Sequence, residues 1–257
     1  MTTVSPLSGK VALVTGGGRG IGRAIALALA AAGVTLALTA RTRSQLDAVA
    51  AELEAAGADM PMVQEMDVAD PGSIAAGLGR IRAALPRTDI LVNNAGIAES
   101  APLAKTSPEL WQRHLAVNAT APFLLSRALV PAMVERGWGR VINLASMAGL
   151  GGAPYIAAYA ASKHALVGLT RALAAEMAGS GVTVNAICPG YVATDIVWAG
   201  ARRIAEKTGK PFDDAVAAMA GFNASGKLIE PEAVAAAVLD LCAEAAAGRT
   251  GETVVLS

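Results

Sequence analysis

Apolar residues along this chain follow two rhythms. Short, nearly continuous runs fall at Val11–Val14, Thr35–Leu38, Pro61–Gln64, Ile90–Val92, Arg140–Leu144, Thr183–Ile187 and Thr253–Leu256. Longer alanine-rich stretches with helical spacing separate them, at Gly20–Ala32, Ser44–Ala56, Pro71–Leu85, Pro108–Arg136, Ile156–Ser180 and Pro231–Ala246. Runs that are apolar at nearly every position read as strands buried on both faces, as in a parallel sheet covered by helices on either side. Because strand–helix–strand crossovers are right-handed, the seven runs predict an α/β, doubly wound, seven-stranded parallel sheet.

One segment breaks this rhythm. From Tyr191 to Lys227 no strand pattern appears, and the spacing predicts a helical insertion. It follows a strand ending in Cys188-Pro189-Gly190 and so overhangs the carboxyl ends of the strands, where ligands bind in open α/β sheets. A substrate lid at about 191–227 is the expectation, with an inert surface excursion as the alternative. No shift in composition marks a boundary, so residues 1–257 read as one domain.

Composition narrows the function classes. Hydrophobic residues are 54% of the chain, ample for a core on both sides of a sheet. Lys plus Arg number 21 and Asp plus Glu 21, so no basic field attracts nucleic acid or an anionic membrane. The run Ala24–Ala40 is apolar, but Gly33 breaks it and its period changes, which predicts a helix and then a strand rather than a membrane span. Met1–Lys10 has no apolar signal core, and a soluble, cytoplasmic protein is expected. Cys188 and Cys242 sit in apolar runs and read as small core residues. With two histidines and no cluster at ligand spacing, no metal is expected.

Chemistry first appears at Thr15-Gly16-Gly17-Gly18-Arg19-Gly20-Ile21-Gly22, between the first strand and the first helix. Glycines there permit a tight turn and close approach of a pyrophosphate, which the helix N-terminus favours through free N–H groups and its dipole. The second strand ends in Leu38-Thr39-Ala40-Arg41-Thr42-Arg43. An acid at this distance from the turn would bind a ribose 2′-hydroxyl, and none is present. Arg41 and Arg19 instead offer charged forks suited to a 2′-phosphate, while Arg43 reads as a surface charge. NADP(H) is therefore favoured, and NAD(H) stays open.

Tyr159 and Lys163, in Tyr159-Ala160-Ala161-Ser162-Lys163, lie four apart and so share a helix face. A cation beside a phenol favours the phenolate, making the tyrosine a usable general acid or base. The same spacing also fits a core ring beside a solvated lysine.

Taken in order, these motifs resemble the short-chain dehydrogenase/reductase family in its compact, single-domain form, over nearly the whole chain. Gly16, Gly20 and Gly22 match the family's glycine turn, with Ile21 between them. Asp67-Val68 stands where the family contacts adenine. Asn93-Asn94-Ala95-Gly96 follows the fourth strand as the family's motif does. Asn118 lies in the Val-Asn-Ala setting of the catalytic asparagine, and Ser146 precedes Tyr159 by thirteen residues. Pro189, Gly190, Val192 and Thr194 match the stretch that holds the nicotinamide carboxamide.

The resemblance implies a Rossmann fold and hydride transfer between a nicotinamide and a carbonyl or carbinol carbon. It implies that Tyr159 donates the proton, Ser146 polarises the carbonyl, Lys163 lowers the tyrosine pKa and binds the nicotinamide ribose, and Asn118 holds a relay water. Tyr155 lacks a lysine four residues on and reads as a pocket wall. With Ile97, Met147, Ala148, Gly152, Tyr191, Ile196 and Trp198 it makes an apolar, aromatic substrate pocket. A 3-oxoacyl thioester or polyketide-type ketone is the first expectation for substrate. The alternatives are a carbonyl reductase or alcohol dehydrogenase for aliphatic, aryl or diketone substrates, and a non-catalytic NADP-binding sensor. The family's pairing of long helices implies a homotetramer, although the chain lacks the Asp-Gly-Gly tail that helps form one of its contacts.

Overall fold

The structure is a computed structural model that describes residues 7–257. The expectation for Met1–Lys10 falls mostly outside the described residues. Seven strands form one parallel sheet: β1 (Val11–Thr15), β2 (Thr35–Ala40), β3 (Met62–Glu65), β4 (Ile90–Asn93), β5 (Gly139–Leu144), β6 (Val182–Pro189) and β7 (Thr253–Leu256). Their order is β3-β2-β1-β4-β5-β6-β7, and every pairing is parallel. The predicted doubly wound α/β Rossmann sheet is thus observed. Its strand order reverses between β1 and β4, which opens a crevice at their carboxyl ends.

Alternate residues of each strand feed two cores. On one face, Ala12 and Val14 pack with α1 (Gly20–Ala31), α2 (Arg43–Ala55) and α9 (Pro231–Cys242) through Ile25, Leu29, Leu46, Val238 and Leu241. On the other, Leu13, Leu91 and Val184 pack with α3 (Pro71–Ala84) and α5 (Ala121–Glu135) through Ile74, Leu78, Leu125 and Met133. The apolar run Ala24–Ala40 resolves as expected into α1 and β2. Gly33, at φ +77°, makes the break between them, and the Val34 amide closes back on the Leu29 carbonyl at 3.1 Å. Cys188 and Cys242 are buried and unpaired. Burial pushes both thiols up, Cys242 to about 12.

The single helix expected at Pro108–Arg136 is three pieces: α4 (Pro108–Leu115), a π turn (Ala116–Thr120) and α5. The π turn closes with the Ala121 amide on the Ala116 carbonyl, five residues back. Pro122 has no N–H for the Asn118 carbonyl, so the ordinary ladder fails here. By length and composition Pro108–Glu135 could cross a membrane, yet half of its most apolar window is buried within the protein.

After α6 (Ala157–Glu176) and β6, the expected insertion is α7 (Asp195–Thr208) and α8 (Phe212–Ala220). These helices share a small core of Val197, Ala201, Ala215 and Met219. A parallel bridge between Val192 and Ile229 closes the base of the insertion.

Candidate active site

The glycine turn and the end of β4 are built against each other. Gly16 and Gly20 adopt φ of +65° and +52°, which side chains rarely tolerate. Asn94 Nδ2 donates to the carbonyls of Thr15 (2.8 Å) and Gly16 (3.2 Å), and the Asn94 and Ala95 amides both donate to Thr15 Oγ1 at 3.0 Å. The Asn94 side chain, expected at the cofactor, thus braces the turn. A Cβ on Gly20 would lie 3.3 Å from Thr194 Cγ2, so the loop after β6 reaches the same turn. Gly16, Gly20, Ile21, Gly22, Ala95 and Thr194 therefore come together, with Gly96 and Val192 on the loops beside them.

Helix α1 starts with no side-chain cap at Arg19 and no acid in its first turn. Its leading N–H groups face the turn without a carboxylate to satisfy them, which suits an anionic group. Arg41 is exposed beyond β2 and makes no ion pair among the described residues. The other two arginines are engaged: Arg19 with Asp195 at 2.9 Å, and Arg43 with Asp47 at 2.7 Å. Asp67 is exposed and accepts the Ala69 amide within its own loop, while Val68 packs on the core below.

The catalytic candidates converge at the carboxyl ends of β4–β6. Ser146 follows β5, and its Oγ accepts the Ala148 amide at 3.1 Å, leaving its O–H free to donate. Tyr159 projects from the first turn of α6. Burial pushes its phenol above the ordinary value, and the neighbouring Ser146 hydroxyl pulls the other way. Lys163, one turn on, is buried with Nζ 5.9 Å from the Tyr159 ring centroid and donates to the Leu144 carbonyl at 2.6 Å. Burial draws the Lys163 ammonium down to about 8. The expected lowering of the phenol by Lys163 is therefore corrected. Desolvation dominates, because Tyr159 is half-buried, Lys163 is buried and the ammonium is turned to a carbonyl.

Asn118 sits wholly buried in the π turn. Its Oδ1 accepts the Ile97 amide at 3.0 Å, and its Nδ2 donates to the Ile97 carbonyl (3.0 Å) and to Ser162 Oγ (2.9 Å). Between Asn118 and Lys163 stands Gly96, where a Cβ would lie 3.3 Å from Asn118 Oδ1 and 3.6 Å from Lys163 Nζ.

The pocket candidates divide. Met147, Gly152, Tyr155 and Ile196 are exposed around the crevice, and Ala148 and Tyr191 are half-buried. Tyr155 has φ +69°, the one non-glycine residue in that region among those described. A bulky side chain there is strained, and its carbonyl is held by the Ala101 amide at 2.8 Å. Trp198 packs on Phe212 of α8, with centroids 6.5 Å apart, so its ring belongs to the α7–α8 core.

Asn223 had no place in the sequence reading. It is buried; its Oδ1 accepts the Tyr191 amide (2.9 Å) and its Nδ2 donates to the Tyr191 (2.9 Å) and Lys227 (2.6 Å) carbonyls. A Cβ on Gly190 would lie 2.1 Å from that Oδ1, so only glycine fits against Asn223 here. Gly190 and Pro189 are thereby fixed beside the glycine turn's partner loop.

A family profile described as short chain dehydrogenase matches residues 10–203. The chain belongs to the short chain dehydrogenase family. Among curated relatives, the 3-oxoacyl-[acyl-carrier-protein] reductase FabG of Escherichia coli (strain K12) is 38% identical over 245 residues, 95% of this chain and 94% of its own. An acetoacetyl-CoA reductase of Rhizobium meliloti (strain 1021) is 39% identical over 245 residues, 95% of each chain. Among solved structures, a variant actinorhodin polyketide ketoreductase with NADPH superposes with a TM-score of 0.92 at 33% identity, covering 99% of this chain and 97% of that one. The protein is thus an oxidoreductase of the short chain dehydrogenase family.

Proposed function

We propose that the protein interconverts a ketone and a secondary alcohol with NADP(H), with a 3-oxoacyl thioester or polyketide-type ketone as its substrate. The observation that carries this reading is the half-buried Tyr159 phenol beside the Ser146 hydroxyl, with the buried Lys163 one turn below and a glycine-lined helix N-terminus nearby. The named activities of the acetoacetyl-CoA and 3-oxoacyl reductases support the substrate class. The NADPH of the related ketoreductase structure supports the cofactor.

The residues present fit NADP(H). The uncapped start of α1, with Gly16 and Gly20 on its approach, would hold the pyrophosphate. Arg41 would hold the 2′-phosphate, with Arg19 joining it once released from Asp195. Asp67 and Val68 would border the adenine, and Pro189, Gly190, Val192 and Thr194 the carboxamide. When bound, the nicotinamide supplies or takes up the hydride. Tyr159 gives its proton to the carbonyl oxygen, and burial keeps that proton in place at neutral pH. Ser146 offers a second O–H to the same oxygen, so charge developing there meets two donors in a water-poor site. Lys163 places a cation under the phenol and would bind the nicotinamide ribose. Asn118 fixes the loop at Ile97 and the start of α6 through Ser162, and would hold the relay water. The α7–α8 segment, about 191–227, acts as a lid on a single catalytic domain. A homotetramer is part of the same reading, supported by Phe123 and Val134, which leave part of α5 apolar at the surface.

The pH profile follows from these positions. Reduction needs the phenol protonated and Lys163 charged. The first holds well past neutral pH, and the second fails as pH rises through about 8. So kcat/KM for carbonyl reduction is full below that pH and falls above it, while alcohol oxidation, which needs the phenolate, gains as pH rises. A reduction profile flat across the alkaline range would contradict this assignment.

Arg41→Asp removes the free guanidinium and puts an acid where a 2′-hydroxyl would bind. The ratio of kcat/KM for NADPH over NADH should drop by about tenfold or more, the loss of one charge-assisted hydrogen bond. An unchanged ratio would reject the 2′-phosphate role.

The test of the whole reading is purified protein with NADPH or NADH against β-keto thioesters, simple ketones and diketones, followed by nicotinamide absorbance. The exposed apolar rim of Met147, Leu150, Tyr155 and Ile196 also suits aliphatic, aryl or diketone substrates, and faster turnover on those would favour that second reading. Tight NADPH binding without oxidation by any of them would point to a sensor.

A further inference from the structure

The chemistry above makes no use of the chain's one buried histidine. Of the two present, His164 is exposed on α6, while His114 is wholly buried on α4. The His114 ring meets the Tyr159 ring edge to face, with centroids 6.3 Å apart and planes at 71°. Such a pair contributes directional packing beyond area burial. Both ring nitrogens are engaged. Nε2 faces the Glu99 amide at 3.1 Å, and Nδ1 faces the Leu110 carbonyl at 2.9 Å. An amide can only donate and a carbonyl can only accept, so Nε2 is bare and Nδ1 carries the hydrogen. An imidazolium would turn a donor on the Glu99 amide and lose that bond.

The bond matters because of where Glu99 lies. The loop after β4 is fastened at alternate residues to the elements that carry the reaction. Ile97 is held by Asn118, the Glu99 amide by His114, the Glu99 carboxylate by Arg113, and Ala101 by the Tyr155 carbonyl. Among these fasteners His114 is the one whose ring also rests on Tyr159. We propose that His114 is a positioning residue for Tyr159: a neutral, Nδ1-protonated imidazole that sets the aspect of the phenol ring and ties it to the loop after β4. An apolar side chain of similar size would fill the space yet leave the half-buried Glu99 amide without its acceptor. A shift of the phenol by a fraction of an ångström is enough to cost turnover, because proton transfer depends on alignment. This inference rests on the reading of Tyr159 as proton donor.

Its test has two arms. The first uses the unaltered protein with ¹⁵N-labelled histidine, with His164→Gln to assign the signals. The His114 resonances should show a protonated Nδ1 and a bare Nε2 at neutral pH, and an imidazolium or the opposite tautomer would overturn the proposal. The second arm compares His114→Phe, which keeps a ring but no acceptor, with His114→Gln, which keeps an acceptor but no ring. Each should lower kcat about tenfold while NADPH affinity stays within about twofold. In a Tyr159→Phe background neither should lower it further, because the aligned proton is already gone. Ordinary kcat in both variants would overturn the positioning role, as would kcat and NADPH affinity falling together. Ordinary turnover in Tyr159→Phe alone would instead bring down the proton-donor reading.

Discussion

Tyr159→Phe is expected to lower turnover by about 10²- to 10⁴-fold, the usual contribution of a positioned general acid. NADPH affinity should stay within about twofold, since the substitution touches no phosphate contact. Phenylalanine keeps the ring, its burial and its edge contact with His114. It removes one oxygen, which lies beside Ser146 in a site where burial holds the phenol protonated. The measurement is kcat for ketone reduction under saturating NADPH, beside an NADPH titration by fluorescence. Loss of both together would mean a disturbed fold, and ordinary kcat would mean that the proton comes from elsewhere.

The sheet was readable because parallel strands in this fold are apolar on both faces, so each of the seven runs stands out against the alanine-rich helices. The glycine turn was readable for a related reason: its residues have no side chains precisely where backbone meets backbone. The π turn was not read, since Pro108–Arg136 keeps one apolar period across it. Pro122, four residues after Asn118, was the available signal, because it removes the amide that the Asn118 carbonyl would receive. His114 and Asn223 carried no signal at all, for each acts through main-chain groups of distant loops, Glu99 and Tyr191, that only the fold brings near. The direction of the Tyr159 pKa was misjudged from spacing. Four residues of separation places Lys163 on the same face, but says nothing of the Leu144 carbonyl that takes its ammonium or of the burial of Lys163. Trp198 was assigned to the pocket by its place after β6, whereas the ring turns into the α7–α8 core.

Gly22→Ala is expected to weaken cofactor binding sharply from the opposite end of the site. The added Cβ would lie 2.1 Å from the Gly16 carbonyl oxygen and 2.6 Å from Asn94 Nδ2. Neither neighbour is free to retreat. Gly16 is at φ +65°, the next amide in the turn is bonded to the Thr39 carbonyl at 3.0 Å, and Asn94 is held by β1 at 2.8 Å. Relief therefore requires α1 to move off the turn, which carries its unsatisfied amides away from the phosphate position. Overpacking of this kind costs about 1–3 kcal/mol in stability, and NADPH affinity should fall by more than about tenfold as the anion site opens. The control is Gly168→Ala in α6, where a Cβ meets nothing within 4 Å and the helix gains from a better former. Gly168→Ala should match or exceed the unaltered protein in thermal midpoint and bind NADPH equally well. If Gly22→Ala also bound NADPH like the unaltered protein, the close seat of α1 on the glycine turn would not be what builds the phosphate site. The uncapped helix start would then have to act without it.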